Sequence, residues 1–527
     1  MKTINSFFIN KEKKSHHNCV LLKEFIEKFL DDGDLHLSLY EFSKIIDIPL
    51  DSIKDKSKQL MLSKFNFKTG KFNSNYSILK IFLNFLIFIF LSFSQTFNSK
   101  IFRKKKIEIV DVMLDNVTFT DEIYRFKSIL EKYENNLVVL KKKINYNKQA
   151  FKNLNIIYNK NFFNSSNFLK GKLKHLITFS IKILKISIKN KFNFFQIINV
   201  IFNSSIRYQN LFENYKVKFL LHDRSYTTCP IRNYLLKEKC NGTTGFVQVH
   251  LAESVISMFN FTDIIFTFGN EDNTKRKIQN LGGKVSLSYS VGSLKAEHLM
   301  DNNLNDINSE FSSDILVIGV NITDWFYTSK DISKAYLDFL NYIKKLSLKF
   351  PSKKIIYKHH GNFKWNEYEE NLFKDTNIKI YIENSEIKNK ADYINKVFLK
   401  RKLNFFNEKH SSKKDTKFDS FFSGSYSFLK NSKFVISFSS TMILEAAILK
   451  KPAYFINPRG LESSFFQELD YLKDKIITDF VDLENKILEY EKLEIKEDNN
   501  ICLNGQSGYL IKKIIDKKLN EKINNVR

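Results

Sequence analysis

Short apolar runs rich in β-branched and aromatic residues recur along the chain, each closed by a polar cluster. Stretches with apolar residues at helical spacing lie between them. The first series predicts strands at Ile107–Leu114, Leu137–Leu140, Ile156–Tyr158, Val217–Leu221, Gly245–His250, Ile264–Phe268 and Lys284–Ser288, with helices at Asp121–Tyr133 and Ile231–Lys239. The run Asp301–Ser313 (DNNLNDINSEFSS) is polar and reads as a linker. A second series follows: strands at Ile315–Asn321, Lys354–Lys358, Phe434–Phe438 and Ala453–Asn457, with helices at Ile332–Phe350 and Met442–Leu449. Glu383–Ser420 is charged and irregular, and closing helices fall within Phe466–Tyr490. Strand alternating with helix, twice over, predicts two α/β domains with parallel sheets.

Ahead of both series the pattern is different. Cys19–Leu30, Leu39–Ile46 and Leu50–Leu62 read as short helices, so residues 1–75 form a helical N-terminal extension. Part of it loosely resembles a helix-turn-helix, but a plain helical extension is the better reading. Ile78–Phe93 (ILKIFLNFLIFIFLSF) is the most apolar segment and falls short of the roughly 20 residues of a bilayer span. Lys80 and Asn84 interrupt it, and Lys100, Arg103, Lys104, Lys105 and Lys106 follow. An interfacial helix is the preferred reading of this segment (76–106), a buried helix the second, and a single span over 78–97 the third. From Leu169 to Lys189 apolar residues recur at helical spacing among lysines, which suits either an anionic bilayer surface or a core-facing surface helix.

Composition adds bounds. The 527 residues suffice for two domains plus extensions, and 43% apolar content supports a packed core. Four scattered cysteines without a CxxC pair argue against a disulfide framework or a zinc site and point to a reducing compartment. The first residues lack the apolar core of a secretory signal. The net charge is +27, with lysine outnumbering arginine 75 to 9. From Lys141 to Leu220 there are 16 basic residues and one acid, Glu213, a block that attracts anionic surfaces. Scarce arginine argues against nucleic acid as the partner.

Candidate chemistry centres on Phe434–Pro458 (FVISFSSTMILEAAILKKPAYFINP). A buried strand there delivers Ser439, Ser440 and Thr441 to the start of a short helix carrying one acid, Glu445. A hydroxyl-lined turn at a strand's carboxyl end is where α/β folds hold phosphate. The competing reading is an ordinary N-cap. S-S-T-x-x-x-E-A-A-x-x-x-K-P resembles the donor half of GT-B glycosyltransferases, closest to bacterial polysialyltransferases and CDP-glycerol glycerophosphotransferases. That resemblance covers roughly 107–495. It implies phosphate-binding roles for Ser439, Ser440 and Thr441 and a ribose-binding role for Glu445.

Other residues fit the same family in part. Lys358-His359-His360-Gly361 is similar to the family's K-x-H-P, with Gly361 where the family has Pro, so Lys358 and His360 take donor-phosphate roles. The strand Val217–Leu221 delivers His222 and Asp223. Gln248-Val249-His250 departs by one residue from Q-H-G, whose histidine is a candidate base. His250, His222 and Asp223 therefore stand unranked as general-base candidates. Asp31-Asp32-Gly33 matches the acidic motif of sialyltransferases but precedes every predicted strand, so it reads as a solvated turn.

The expected architecture is GT-B: two Rossmann-like domains facing a cleft, with the helical extension. The boundaries are an acceptor domain at 107–300, a linker at 301–313, a nucleotide-donor domain at 314–495 and a C-terminal tail or helix at 496–527. The expected function is metal-independent transfer of a sugar or polyol-phosphate group from a nucleotide-activated donor to a surface polysaccharide, capsule or glycolipid acceptor. No cofactor is expected beyond that nucleotide co-substrate, and the expected place is the cytoplasmic face of the plasma membrane, peripherally bound. The alternatives are a nucleotide-sugar 2-epimerase of the same fold and a non-enzymatic basic protein that binds nucleic acid or membrane.

Overall fold

A computed structural model describes residues 15–66, 71–72, 77–97, 107–146, 148–159, 169–222, 228–248, 259–269, 271–295, 297, 312–320, 330–358, 372–381, 405–406, 425–461, 470–490 and 505–524. The chain divides into two compact units: 1–267 with 271–289 and 508–527, and 268–270 with 290–507.

The first unit opens on helices α1 (Ser15–Leu30), α2 (Gly33–Ile46) and α3 (Leu50–Leu62) and a two-stranded ribbon, β1 (Phe65–Asn66) with β2 (Lys71–Phe72). Next come α4 (Ile78–Phe97), β3 (Glu108–Val117), α5 (Thr120–Leu130), β4 (Asn136–Leu140) and β5 (Ile156–Tyr158). They are followed by α6 (Leu173–Lys189), α7 (Phe195–Asn214), β6 (Tyr215–His222), α8 (Pro230–Cys240), β7 (Thr243–Val247), β8 (Phe261–Thr267) and β9 (Lys284–Ser290). The sheet order is β5-β4-β3-β6-β7-β8-β9. Pairing is parallel from β5 through β8. β4 is buried at every position, as a parallel strand covered on both faces must be.

The second unit has the same plan. Strands β10 (Ser313–Ile318), β11 (Ile355–Lys358), β12 (Lys379–Tyr381), β13 (Phe405–Phe406), β14 (Ser432–Ser437), β15 (Ala453–Ile456) and β16 (Ile476–Ile477) form a second sheet. Its order is β13-β12-β11-β10-β14-β15-β16, with every pairing parallel. The helix Lys330–Lys349 places Ala335, Phe339, Leu340, Ile343 and Leu346 in one core with Ile315, Ile355 and Phe434. These are two Rossmann-like α/β units with a helical extension, as the GT-B expectation requires. The last helix, Ser507–Asn524, belongs to the first unit, where the Tyr133 hydroxyl donates to Asp516 at 2.8 Å.

The amino-terminal helices pack onto the first unit through phenylalanines. Phe42 stacks on Phe179 at 4.5 Å between centroids, and Phe88 lies 5.2 Å from Phe202. The apolar face of α6 (Leu176, Phe179, Ile183, Ile186) is buried. That helix is therefore core-facing, the second of its two sequence readings. Among the described residues, α4 is the one helix long and apolar enough to cross a bilayer. Helix α2 begins at Gly33, so Asp31-Asp32-Gly33 lies at the turn between two helices.

Candidate functional site

Both sheets reverse direction at one place, and each reversal carries buried polar atoms. In the second sheet the chain first builds outward from β10 to β13, then restarts beside β10 with β14. The carboxyl ends of β10 and β14 thus flank a topological switch point, where open α/β sheets gather ligands. Register puts Lys358, Ile318 and Ser437 in one row across β11, β10 and β14. At about 4.8 Å per strand, Lys358 and Ser437 sit roughly 10 Å apart along that row. The Ser437 hydroxyl donates to the Ile318 carbonyl at 2.8 Å and ties the two central strands together. Gly319 follows β10 and donates its N–H to the Lys358 carbonyl at 2.8 Å; a Cβ there would come within 2.7 Å of that oxygen. Only glycine allows so close an approach.

The hydroxyl run leaves β14 at this row. Ser439 is buried, and its Oγ has no hydrogen-bond partner among the described residues. The Ser440 Oγ accepts the Met442 N–H at 3.3 Å, which gives that hydroxyl a partial capping role. Thr441 precedes the helix Met442–Ile448 and makes no side-chain cap. That helix has seven residues, too few for its dipole to carry a phosphate site, so any such site here would rest on the hydroxyls. Glu445 is 1% exposed; its Oε1 lies 3.8 Å from the Lys295 ammonium, while Oε2 is buried and unpartnered among the described residues. A buried acceptor without a donor is costly, about 1–3 kcal/mol. A ligand hydroxyl would remove that cost at Glu445. Lys358 is buried at the end of β11. The next residues, His359, His360 and Gly361, lie outside the described residues, as do Asp223 and His250.

The first sheet repeats the arrangement. Its order reverses between β3 and β6, and Asp115 and His222 lie toward the carboxyl ends of those strands. Asp115 accepts from Arg207 and Tyr208 on α7, the latter at 2.7 Å, and from Arg232 on α8 at 3.0 Å. Burial alone would raise the Asp115 carboxyl, but Arg207, Arg232 and the Tyr208 hydroxyl outweigh it and hold the group below the usual carboxylate range.

His222 is 1% exposed, with Arg232 Nη2 3.4 Å from its Nδ1. A guanidinium only donates, so Nδ1 accepts and Nε2 carries the proton of the neutral ring. Burial, then Arg232, pushes the imidazole pKa well down. In this tautomer His222 offers an N–H at Nε2, and its one lone pair faces Arg232.

Sequence reasoning does not anticipate Ser437, Gly319, Lys295, Asp115, Arg207 or Arg232. A glycine ending the strand ILVIG and an arginine within apolar surroundings are the signals the sequence does hold.

No family model and no curated protein matches the chain. Solved structures are similar at low identity. Anabaena Alr3699/HepE in complex with UDP is 11% identical, covering 80% of this chain and 100% of that one, with a TM-score of 0.38. UDP-GlcNAc 2-epimerase from Neisseria meningitidis bound to UDP-GlcNAc is 11% identical over 79% and 100%, with a TM-score of 0.41. The wall teichoic acid polymerase TagF is 10% identical over 85% and 98%, with a TM-score of 0.37. These scores are low, and the two strand orders carry the fold by themselves.

Proposed function

We propose that the chain is a glycosyltransferase or polyol-phosphate transferase whose donor nucleotide sits at the switch point of the second sheet. The observation that carries this reading is the pair of buried, unpartnered oxygens, Ser439 Oγ and Glu445 Oε2, beside the hydroxyl run. In this reading Ser439, Ser440, Thr441 and Lys358 hold the donor phosphates and Glu445 accepts from the ribose hydroxyls. In sugar transfer an acceptor hydroxyl attacks the activated carbon of the donor, and the bond from that carbon to the nucleotide phosphate oxygen breaks; in polyol-phosphate transfer the hydroxyl attacks the phosphorus that bears the polyol, and the phosphoanhydride bond to the nucleoside monophosphate breaks. A base, His250, His222 or Asp223, takes the hydroxyl proton, while His360 and the serine hydroxyls stabilise charge on the departing phosphate. The acceptor is a surface polysaccharide or glycolipid of the capsule kind.

A 2-epimerase would use the same nucleotide site, so the reaction separates the readings. Incubation with nucleotide-activated sugars and no acceptor should leave a transferase's donor unisomerised. Isomerised nucleotide sugar in that mixture, followed by NMR, would instead establish the epimerase.

We also propose that α4 holds the protein on an anionic bilayer, lying in its surface. At about 100° per residue, Leu79, Phe82, Leu83, Leu86, Phe90 and Phe93 fall within an arc of about 100°. All six are exposed, Leu79 to 77% and Phe90 to 71%. The opposite face, with Ile81, Phe88, Ser92 and Gln95, is buried. Asn193 and Asn199 donate from the α7 side to the carbonyls of Lys80 and Asn84. A helix with one face in the protein core suits an in-plane position, whereas a span meets lipid all round. Neither α4 nor α6 carries an acid, and Lys80, Lys174 and Lys185 are exposed. That charge favours anionic lipid over a second copy of the same cationic face.

The full chain should float with phosphatidylglycerol-containing vesicles, less with phosphatidylcholine alone, and less at high salt. Leu83→Glu with Phe90→Glu should reduce flotation at least about tenfold at an unchanged thermal transition. No flotation, or flotation indifferent to the double substitution, would contradict the assignment.

A further inference from the structure

The switch point of the first sheet holds buried positive charge and hydrogen-bond donors that nothing among the described residues answers. We propose that it binds an oxyanion, a phosphate or carboxylate, between Arg207 and His222. The inference deepens the transferase reading, on which it rests, by giving the acceptor a charged group.

Five buried side chains make the cluster: Asp115, Arg207, Tyr208, Arg232 and His222. Arg232 is fully buried, Arg207 is 7% exposed, and Asp115 between them is the one acid to which both are bonded. Among the described residues, two guanidinium charges against one carboxylate leave one positive charge in excess. Helix α3 brings a further basic residue to the same corner. Lys56 is buried there, its ammonium donates to Gln59 at 2.6 Å, and Gln59 donates to Thr228 at 2.8 Å. Burial lowers the Lys56 ammonium, with Arg232 and Lys141 acting in the same direction against Cys229. The amino-terminal extension therefore supplies part of this corner and is more than an appendage.

The unmet groups share one polarity. Arg207 uses Nη1 and Nη2 on Asn116 and Asp115, and its Nε–H has no acceptor among the described residues. His222 has Nδ1 toward Arg232 and its Nε2–H without an acceptor among the described residues. An ion cluster that served packing alone would place acceptors on these donors, since buried polar groups are nearly always paired. Two unanswered donors, excess positive charge and a position at the sheet's reversal point together call for an oxygen-bearing anion. The Arg232–His222 contact has a part in this: by holding Nδ1 as acceptor it makes Nε2 the donor.

Thermal unfolding of the full chain tests the site without turnover. Inorganic phosphate and glycerol 1-phosphate are titrated at constant ionic strength against chloride. The Ser440→Ala/Thr441→Ala background is used so that the donor site of the second unit does not contribute. Stabilisation by the ester but not the free ion assigns the site to an acceptor-borne phosphate; stabilisation by both assigns it to phosphate in general. In either case His222→Phe and Arg207→Lys should each raise the half-saturating concentration about tenfold or more. Neither anion stabilising the protein beyond chloride would overturn the proposal, and so would unchanged half-saturation in both folded variants. Neither result bears on nucleotide binding by the second unit, which is measured separately.

Discussion

Asp115→Asn should destabilise the first unit by about 3–5 kcal/mol, because it strands two buried guanidiniums without a carboxylate. Arg207 and Arg232 both bond to Asp115, which is itself buried, so neither can turn to water without opening the fold. The effect has a pH signature. Asp115 has a folded-state pKa below its unfolded value, so its contribution is fully present above the unfolded pKa of about 3.9. That contribution is lost as pH falls through the lower folded value. Wild-type stability should therefore drop below about pH 4 by a component that the asparagine variant lacks. Urea unfolding followed by circular dichroism across pH 3–7 measures both quantities. A loss under about 1 kcal/mol at neutral pH would show that the cluster is not the anchor the geometry describes.

His360→Ala should lower turnover roughly 100-fold or more while changing nucleotide affinity far less. His360 follows β11 by two residues, on the half that carries Ser439 and Glu445. A donor to the leaving phosphate helps most as negative charge develops there, so its removal acts on kcat before it acts on binding. His359→Ala serves as the comparison at the neighbouring position. Steady-state kinetics with a nucleotide-activated donor and its acceptor would measure the split. Full transfer activity in both alanine variants would remove this loop from catalysis.

What the sequence shows and what it hides follow from the range of each interaction. Strands such as Leu137–Leu140 are legible because a parallel strand buried on both faces must be apolar throughout. The hydroxyl run after β14 is legible because its turn is local. Helix α4 is legible as apolar, but Phe88 is buried and Phe90 exposed only two residues away, and composition cannot separate them. That choice is made by Phe42, Phe179 and Phe202, which arrive from distant helices. The Asp115 cluster joins residues 92 and 117 positions apart, beyond any periodicity. Its trace in the sequence is compositional: in a chain with 75 lysines and 9 arginines, an arginine marks a place where a planar, forked donor is needed. The return of the last helix to the first unit is equally hidden, since Tyr133 and Asp516 are 383 positions apart.

The most direct test of the central claim is nucleotide binding at the second sheet's switch point. Thermal shift of the full chain with CMP, CDP, UDP and GDP should find at least one that stabilises it. Ser440→Ala with Thr441→Ala should weaken that binding by about 1–3 kcal/mol, measured calorimetrically, at an unchanged melting temperature without ligand. No stabilisation by any of the four, or equal affinity in the folded double variant, would contradict the account and leave the hydroxyl run as a helix cap.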